Sequence, residues 1–489
     1  MKERLVKNKN TVIGIGIVFI YVILLAPYIF SILHSVPVSD DFCMVTKNLW
    51  FDRDNIIIGS VLAAYDRYMK WSGEFIYFFL QYLLNPLAYF RLDSYMFGTV
   101  LCAFFLFFLL SFRYFIKSWL CCLFEIDNYI ITEAISVFSI AILLFANNYH
   151  EIFYWYVGSF YEIEYTFAFI SIGSMLRYFG GKHSSRKYYV LFTITGIVAC
   201  NAINMCVIIG ASYICIAFLY SVRYIRKIRL KTILPLILYV IMGCITVFAP
   251  GNYARKSSGS GGVLAKAVVR AFTCNIRRLF YLSENNIVFY MFIILFFIGV
   301  ALNCKYGKRI KSIWILLLML SVCLYGTLLP IAVGYGDAKL LNNRVCFLLD
   351  VVSISTLEII MLGLGTNISD TLKLQFNEKE KLFIIVMLIS LFYAIVIKDN
   401  GYGTCEYVNQ IKNISEIRQE RVLWTGIYNE IYDSIDKDVV VKIPDDMFVK
   451  SGVIENPALD EDPDCWINLE IRRYFNKDTI SVVMNEQDK

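Results

Sequence analysis

The stretch TVIGIGIVFIYVILLAPYIFSIL, residues 11–33, followed a few residues later by Ser39-Asp40-Asp41-Phe42, decides how the whole chain is read. A bilayer core takes about 20 apolar residues to cross, and this run reaches that length without a charge. It is too long for a signal-peptide core, and no small-residue cleavage site follows it, so it reads as a retained span. The leader MKERLVKNKN carries Lys2, Arg4, Lys7 and Lys9 against Glu3. By the positive-inside rule it stays in the cytoplasm. The first span then delivers two carboxylates to the outer surface. Such a pair can hold a divalent cation, Mg or Mn, or take a proton from a hydroxyl. The other reading is a solvated turn that ends the helix.

Outward from that stretch the chain keeps the same character. Hydrophobic residues make up 58%, mean hydropathy is +0.60 and only 18% of residues are charged, more apolar surface than a soluble domain of 489 residues needs. The 38 Phe and 34 Tyr suit lipid contact and interfacial belts. Apolar runs read as spans near 11–33, 95–112, 129–146, 165–179, 188–200, 203–220, 231–249, 287–303, 313–333, 345–365 and 381–397, about eleven by the length rule. The expected fold is an all-α polytopic bundle in the lipid bilayer. The two short central runs are separated by Asn201-Ala-Ile-Asn204. Basic residues Arg113 and Lys117, Lys182 to Lys187, Arg223 to Lys231, and Lys305 to Lys311 fall in alternate loops, as an inside N-terminus requires.

Residues 1–398 therefore read as the transmembrane domain, with a large external loop at about 35–94, and 399–489 as a small extracytoplasmic C-terminal domain. Within the loop, Ile56 to Trp71 is amphipathic. Phe75 to Phe90 is apolar, but crossing there would invert every later basic loop, so it reads as an interfacial or partly re-entrant helix broken at Asn85-Pro86. In the tail, Gly403 to Tyr432 has helical spacing and Val439 to Ile443 reads as a strand.

The net charge of +6 does not point to nucleic acid, because the cations sit in short loops between spans. The 14 cysteines are mostly inside apolar runs and form no C-x-x-C pair, which argues against a zinc site or a disulfide scaffold.

Four external segments carry unusual polar content. Asp40-Asp41 and Trp71-Ser-Gly73-Glu74 lie in the first. The second holds His150, Glu151, Trp155, Glu162 and Glu164 among aromatics, a mixture that suits sugar rings or, alternatively, an interfacial belt. His150-Glu151 does not continue to H-E-x-x-H, because position 154 is Tyr. Ala249-Pro250-Gly251-Asn252 leads the third, which carries Arg255, Lys256, Lys266, Arg270, Arg277 and Arg278 against the single acid Glu284, contrary to the positive-inside tendency; a bound phosphate would compensate, as would snorkelling to headgroups. The fourth runs from Gly334 through Asp337, Lys339, Asn342 and Asn343 to Arg344 at a helix start, where cation and helix dipole both favour an anion. Carboxylates, aromatic platforms and cations on one face suit group transfer from a phosphate-linked lipid to a hydroxyl. Ionisable residues inside the spans are few, Asp350 and Glu358 being the clearest, fewer than an ion-driven transporter usually carries.

Ser39-Asp40-Asp41-Phe42, Trp71 to Gly73, Phe153-Tyr-Trp155, Pro250-Gly-Asn252 with Arg255, Asn342-Asn-Arg344, and Trp466-Ile-Asn468 with Tyr474-Phe475 together resemble a bacterial multi-pass family of unassigned function. That family is similar to the GT-C glycosyltransferases and to membrane glucosyltransferases that decorate surface polysaccharides. The resemblance implies a multi-pass enzyme of a bacterial cell membrane, a hexosyltransferase-like inverting transferase with or without a metal. It implies a polyprenyl-phosphate sugar donor, a glycan acceptor and an acidic catalytic residue in the first external loop, here Asp41 or Asp40. Arg255, Lys256, Lys339 and Arg344 would hold the donor phosphate, and His150, Glu151, Trp155 and Glu162 would line the sugar or acceptor site. Glu74 stands where that pattern has a basic residue, so position 74 takes no phosphate role. A flippase or polysaccharide transporter, and a structural membrane subunit, are the competing readings; sugar, acceptor and oligomeric state are left open.

The topology is testable directly. A cysteine introduced near Glu461 should react with an impermeant thiol reagent in intact cells. Labelling only after permeabilisation would place the tail, and with it the carboxylate pair, on the inner face.

Overall fold

A computed structural model describes residues 2–52, 54–92, 94–146, 150–180, 185–224, 230–258, 264–284, 286–302, 313–335, 343–372, 406–444, 451–454 and 459–485. The chain is mostly helical, with 19 α-helices among the described residues and one two-stranded sheet in the tail. Four stretches are long and apolar enough to cross a membrane: Gly14–Leu33, Met96–Leu123, Ile203–Tyr220 and Arg344–Thr371. A fifth is made if the pair Lys266–Leu282 and Ile287–Leu302, bent by 78°, counts as one. Tyr129–Phe145, Ile233–Val247 and Leu316–Ala332 are shorter apolar helices. Run 165–179 lies in a helix, Phe160–Gly180, that also carries Glu162, Glu164 and Arg177, and run 188–200 in a helix of 14 residues, Arg186–Ala199. The run at 381–397 lies outside the described residues. This is the architecture of a membrane-embedded protein, with Ile15, Val18, Phe19 and Val22 of the first helix turned outward as lipid contact would have them.

Helix α1 (Lys2–Leu33) contains Pro27, which has no N–H for the carbonyl of Ile23. In a membrane an unpaired carbonyl costs several kcal/mol. Tyr407 of α17 (Glu406–Lys412) donates its hydroxyl to that oxygen at 3.1 Å. At the other end of α1 the orphan carbonyls are met by Arg421 of α18 (Ile414–Asp433). Its guanidinium donates to the Leu33 and Ser35 carbonyls at 3.4 and 3.2 Å and to Ser94 O at 3.1 Å, with the Tyr95 ring 4.1 Å beneath it. The tail is thus held along α1 at a proline gap and at a helix end.

The first loop folds as three helices, α2 (Ser39–Phe51), α3 (Ile56–Lys70) and α4 (Phe75–Leu83), then one 3-10 turn, Pro86–Ala88. Asn55 caps α3, accepting from Ile57 and Ile58 N–H. At nine residues α4 is far too short to cross. It stops at the expected Asn85-Pro86, where Asn85 caps the 3-10 turn and donates to the Asp41 carbonyl at 2.8 Å.

Helices α5 (Met96–Leu123) and α8 (Phe160–Gly180) pack side by side, with α6 (Tyr129–Phe145) and the single turn α7 (His150–Phe153) between them in sequence. Farther on come α9 (Arg186–Ala199), α10 (Ile203–Tyr224), α11 (Leu230–Val247), α12 (Pro250–Ser258), α13 (Leu264–Glu284), α14 (Asn286–Leu302), α15 (Ile313–Tyr335) and α16 (Asn343–Thr371). Gly299 and Gly365 bring α14 and α16 into backbone contact, since a Cβ on either would overlap the other helix's main chain.

Two short motifs prove to be one packing device. A Cβ on Gly73 would overlap the Thr246 carbonyl, and one on Gly251 would lie 2.5 Å from the Trp71 nitrogen. Asn201, in the break between α9 and α10, accepts from Ile76 N–H at 2.7 Å at the start of α4. Asn252 donates to the Thr246 and Val247 carbonyls at 2.8 and 3.1 Å. Trp71-Ser-Gly73 and Pro250-Gly251-Asn252 therefore clasp the first loop to the α11–α12 junction through their backbones.

In the tail, β1 (Asp438–Pro444) pairs in parallel with β2 (Thr479–Asn485), Asp438 opposite Thr479, with α19 (Trp466–Phe475) inside the crossover that parallel pairing requires. The expected long helix is divided at Asn413 into α17 and α18. Asn468 holds the turn before α19 by donating to the Asp460 and Asp462 carbonyls. The tail aromatics enclose Phe42 of α2, with ring centroids of Tyr474, Tyr428 and Phe475 at 5.1, 5.4 and 6.0 Å. Tail and carboxylate pair consequently share one side of the molecule. Among the described residues Cys465 is a free thiol, and Cys405 lies outside them.

Gly73→Ala and Gly251→Ala should each lower the detergent melting temperature, by roughly 1–3 kcal/mol of overpacking. Gly210→Ala, with nothing within 4 Å of its added carbon, should not.

Candidate functional site

Helix α2 sorts its side chains by angle. Asp41, Phe42, Met44 and Val45 are buried. Asp40, Cys43 and Lys47, at i, i+3 and i+7, share the remaining, partly open face. The rotation is set at the first turn. Asp41 Oδ2 accepts from Val38 N–H at 2.9 Å and Oδ1 from Val157 N–H at 3.3 Å, while the Asp41 amide donates to Val38 O at 2.8 Å. A carboxylate in the first turn also favours the helix dipole. Both Asp41 oxygens are thereby taken by backbone donors that tie α2 to the loop carrying Trp155.

Asp40 faces a charged recess. Burial pushes its carboxyl above the usual carboxylate value; Arg344 and Arg67 pull it down, Glu470 pushes it up, and the net direction is upward. Arg67 projects from α3, donates from Nε to Tyr82 OH at 3.0 Å, and lies 5.6 and 5.8 Å from the rings of Trp71 and Phe78. Lys47 is lowered below the usual ammonium value, first by burial and then by Arg67, with Cys43, Asp66 and Glu470 opposing. Burial and Glu470 push the Cys43 thiol up to about 11, so it is protonated at neutral pH and no nucleophile. Glu470 reaches the recess from α19, where it accepts from Thr46 at 3.4 Å and from Arg473 at 2.7 Å.

The second segment meets the fourth at the same place. Arg344, at the start of α16, donates from Nε to Glu151 at 3.1 Å and lies 4.8 Å over the Trp155 ring. Trp155 is 7% exposed, so its ring is a floor for the guanidinium more than an open stacking surface. Gly158 permits this turn, because a Cβ there would overlap the Glu151 carbonyl. His150 is lowered below the ordinary imidazole value by burial, with Glu151 opposing.

The structure thus brings together Asp40, Arg344, Glu151 and Trp155. It turns Asp41 into the packing. Glu162 is fully buried, and neither of its carboxyl oxygens has a hydrogen-bond partner among the described residues. Arg255 and Lys256 lie on α12 with side chains outside the described set, and Lys339 and Asn342 lie outside the described residues. Among the described residues no group of three or more His, Cys, Asp or Glu side chains is placed to hold a metal ion. Asp41 accepts one backbone N–H at each oxygen, and Asp40 lies on the neighbouring, partly open face. Sequence reasoning missed Arg67, Lys47 and Glu470. The i, i+3, i+7 row from Asp40 and the Arg67–Trp71 spacing were signals for the first two; Glu470 had none, being brought from the far end of the chain.

The chain matches no family model, no curated protein and no solved structure.

Because Arg344 lowers the Asp40 carboxyl, Arg344→Gln should move its titration upward. In pH-difference infrared spectra, the protonated-carboxyl band absent from Asp40→Asn should persist to higher pH in Arg344→Gln than in the wild type. A band that stays in place would separate the two groups.

Proposed function

We propose that the chain is a membrane glycosyltransferase of GT-C type, moving a sugar from a polyprenyl-phosphate donor to a hydroxyl of a surface glycan or lipid-linked acceptor. The observation that carries this reading is Asp40 on the partly open face of α2, within range of the Arg67 and Arg344 charges. A bundle of about eleven spans, an inside N-terminus and an outside tail belong to the same reading.

The acceptor O–H gives its proton to Asp40. The acceptor oxygen attacks the anomeric carbon as the bond from that carbon to the phosphate oxygen breaks, which inverts the centre. The polyprenyl phosphate leaves as an anion, and Arg67, Arg344 and Lys47 are the cations at hand to receive it. Glu151 and Trp155 hold the Arg344 guanidinium, which reduces the freedom lost when it meets phosphate. A carboxyl raised above the usual value is, once ionised, a stronger base than an ordinary one.

Asp40→Asn should lower transfer by about 100- to 10,000-fold, the usual loss of a general base, while the melting temperature holds. Asp41→Asn should act on stability first, by about 1–3 kcal/mol, because an amide has one accepting oxygen and would set its NH2 against the second N–H. Turnover of a purified lipid-linked sugar, read beside thermal melting, distinguishes the two. Full transfer by Asp40→Asn would remove Asp40 as the base; no transfer by the wild type would remove the enzyme reading and leave transport in its place, with the buried Arg278–Asp350 pair and Glu358 as its ionisable groups.

A further inference from the structure

Asp40, Cys43 and Lys47 stand one turn apart on the partly open face of α2. Arg67 of α3 reaches the middle of that row, where its Nη2 lies 4.0 Å from the Cys43 Sγ. The rest of its guanidinium is held. Nε donates to the hydroxyl of the fully buried Tyr82 at 3.0 Å, and the Trp71 and Phe78 rings lie 5.6 and 5.8 Å away. A guanidinium fixed at Nε has its orientation set before a ligand arrives, and its terminal nitrogens, apart from the weak thiol contact, remain for one.

Lys47 makes no hydrogen bond or ion pair among the described residues, and Arg67 makes no ion pair there. The acids whose charges act on the two are Asp40, Asp66 and Glu470. Asp66 is bonded to Lys70, and Glu470 to Arg473 at 2.7 Å, so each already has a cation of its own. Asp40 is left against two. The two cations also oppose each other, since Arg67 adds to burial in lowering Lys47. Arg344, by contrast, is answered by Glu151. Surplus positive charge half withdrawn from water is the setting for an anion. The side chains narrow its class. A guanidinium fork engages two oxygens, and an ammonium is a point charge that takes a third. A phosphate monoester presents three terminal oxygens and roughly two charges at neutral pH. A phosphodiester presents two oxygens and one charge, as a carboxylate does.

We propose that Arg67 and Lys47 form a seat for a phosphate monoester, with Tyr82 as the residue that positions the Arg67 fork. Under the proposed reaction, on which the identity of the occupant rests, the monoester is the polyprenyl phosphate set free by transfer, and the donor is a diester. The seat then binds product better than donor, and product restrains turnover until it is removed.

The test needs no transfer. Calorimetry on the full chain in detergent measures binding of farnesyl phosphate, of its methyl ester, a diester with the same chain, and of inorganic phosphate. Farnesyl phosphate should bind roughly tenfold or more tighter than the methyl ester, the margin of one charged contact. Arg67→Gln and Lys47→Gln should each weaken it by about ten- to a hundredfold, the loss of a charged hydrogen bond. Tyr82→Phe should weaken it severalfold in the wild type and no further in Arg67→Gln, whereas a purely structural tyrosine would act equally in both. Thermal melting reads the fold, and Lys47→Gln, on the open face, carries the test if Arg67→Gln does not fold. Inorganic phosphate bound as tightly as farnesyl phosphate would make the occupant soluble, a farnesyl preference would make it a lipid, and either upholds the seat. Equal affinity for farnesyl phosphate and its methyl ester, or wild-type affinity in both Arg67→Gln and Lys47→Gln, would overturn it. Monoester binding in a wild type that shows no transfer would keep the seat and remove the enzyme reading; transfer without a monoester preference would remove the seat alone.

Discussion

The Asp41 carboxylate, accepting from Val38 and Val157 N–H, is the constraint on which the site depends. Adjacent residues on a helix project about 100° apart, so fixing one of two neighbouring acids inward fixes the other outward. With Asp41 held in the packing, Asp40, Cys43 and Lys47 must line the same open face, and the loop that supplies Val157 must place Trp155 under Arg344. The two carboxylates have different surroundings: backbone N–H groups meet Asp41, and side-chain charges act on Asp40.

Backbone satisfaction also explains the tail. A proline inside α1 leaves the Ile23 carbonyl without its helical partner, and the end of α1 leaves the Leu33 carbonyl orphaned. Tyr407 and Arg421, both from beyond residue 400, are the donors that meet them. A segment that closes such gaps is part of the membrane fold, and the aromatic ring of contacts around Phe42 carries it on to α2. Glu470 reaches the recess by this route.

Short motifs read differently once packed. Trp71-Ser-Gly73 and Pro250-Gly251-Asn252 stood out in the sequence as motifs of the resemblance, and Trp71 lies 5.6 Å from the Arg67 guanidinium. The glycines and Asn252, however, serve a close approach of two backbones in which any side chain would clash and every freed carbonyl needs a donor. Arg278 likewise belonged to a cationic cluster by sequence, and the fold withdraws it to pair with Asp350, leaving Lys266, Arg270 and Arg277 as the outward row.

Composition and periodicity alone determined that the chain is helical and apolar enough for a membrane, that the first loop holds an amphipathic helix and a short broken one, and that the tail ends in a mixed helix-and-strand cap. These follow from local free energy: burial of apolar side chains, helical spacing, and the stop at Asn85-Pro86. Residue order also put Asp40, Glu151, Trp155 and Arg344 forward as candidates. It could not tell which of Asp40 and Asp41 is buried, because that rests on an N–H at Val157, more than a hundred residues away. Nor could it find Arg67 beside Asp40, Glu470 in the same recess, or Tyr407 at the proline gap. Those depend on which distant segments meet, and only the tertiary structure decides that, because a charge or a hydrogen-bond donor acts on what lies within a few ångströms of it and not on its neighbours in sequence.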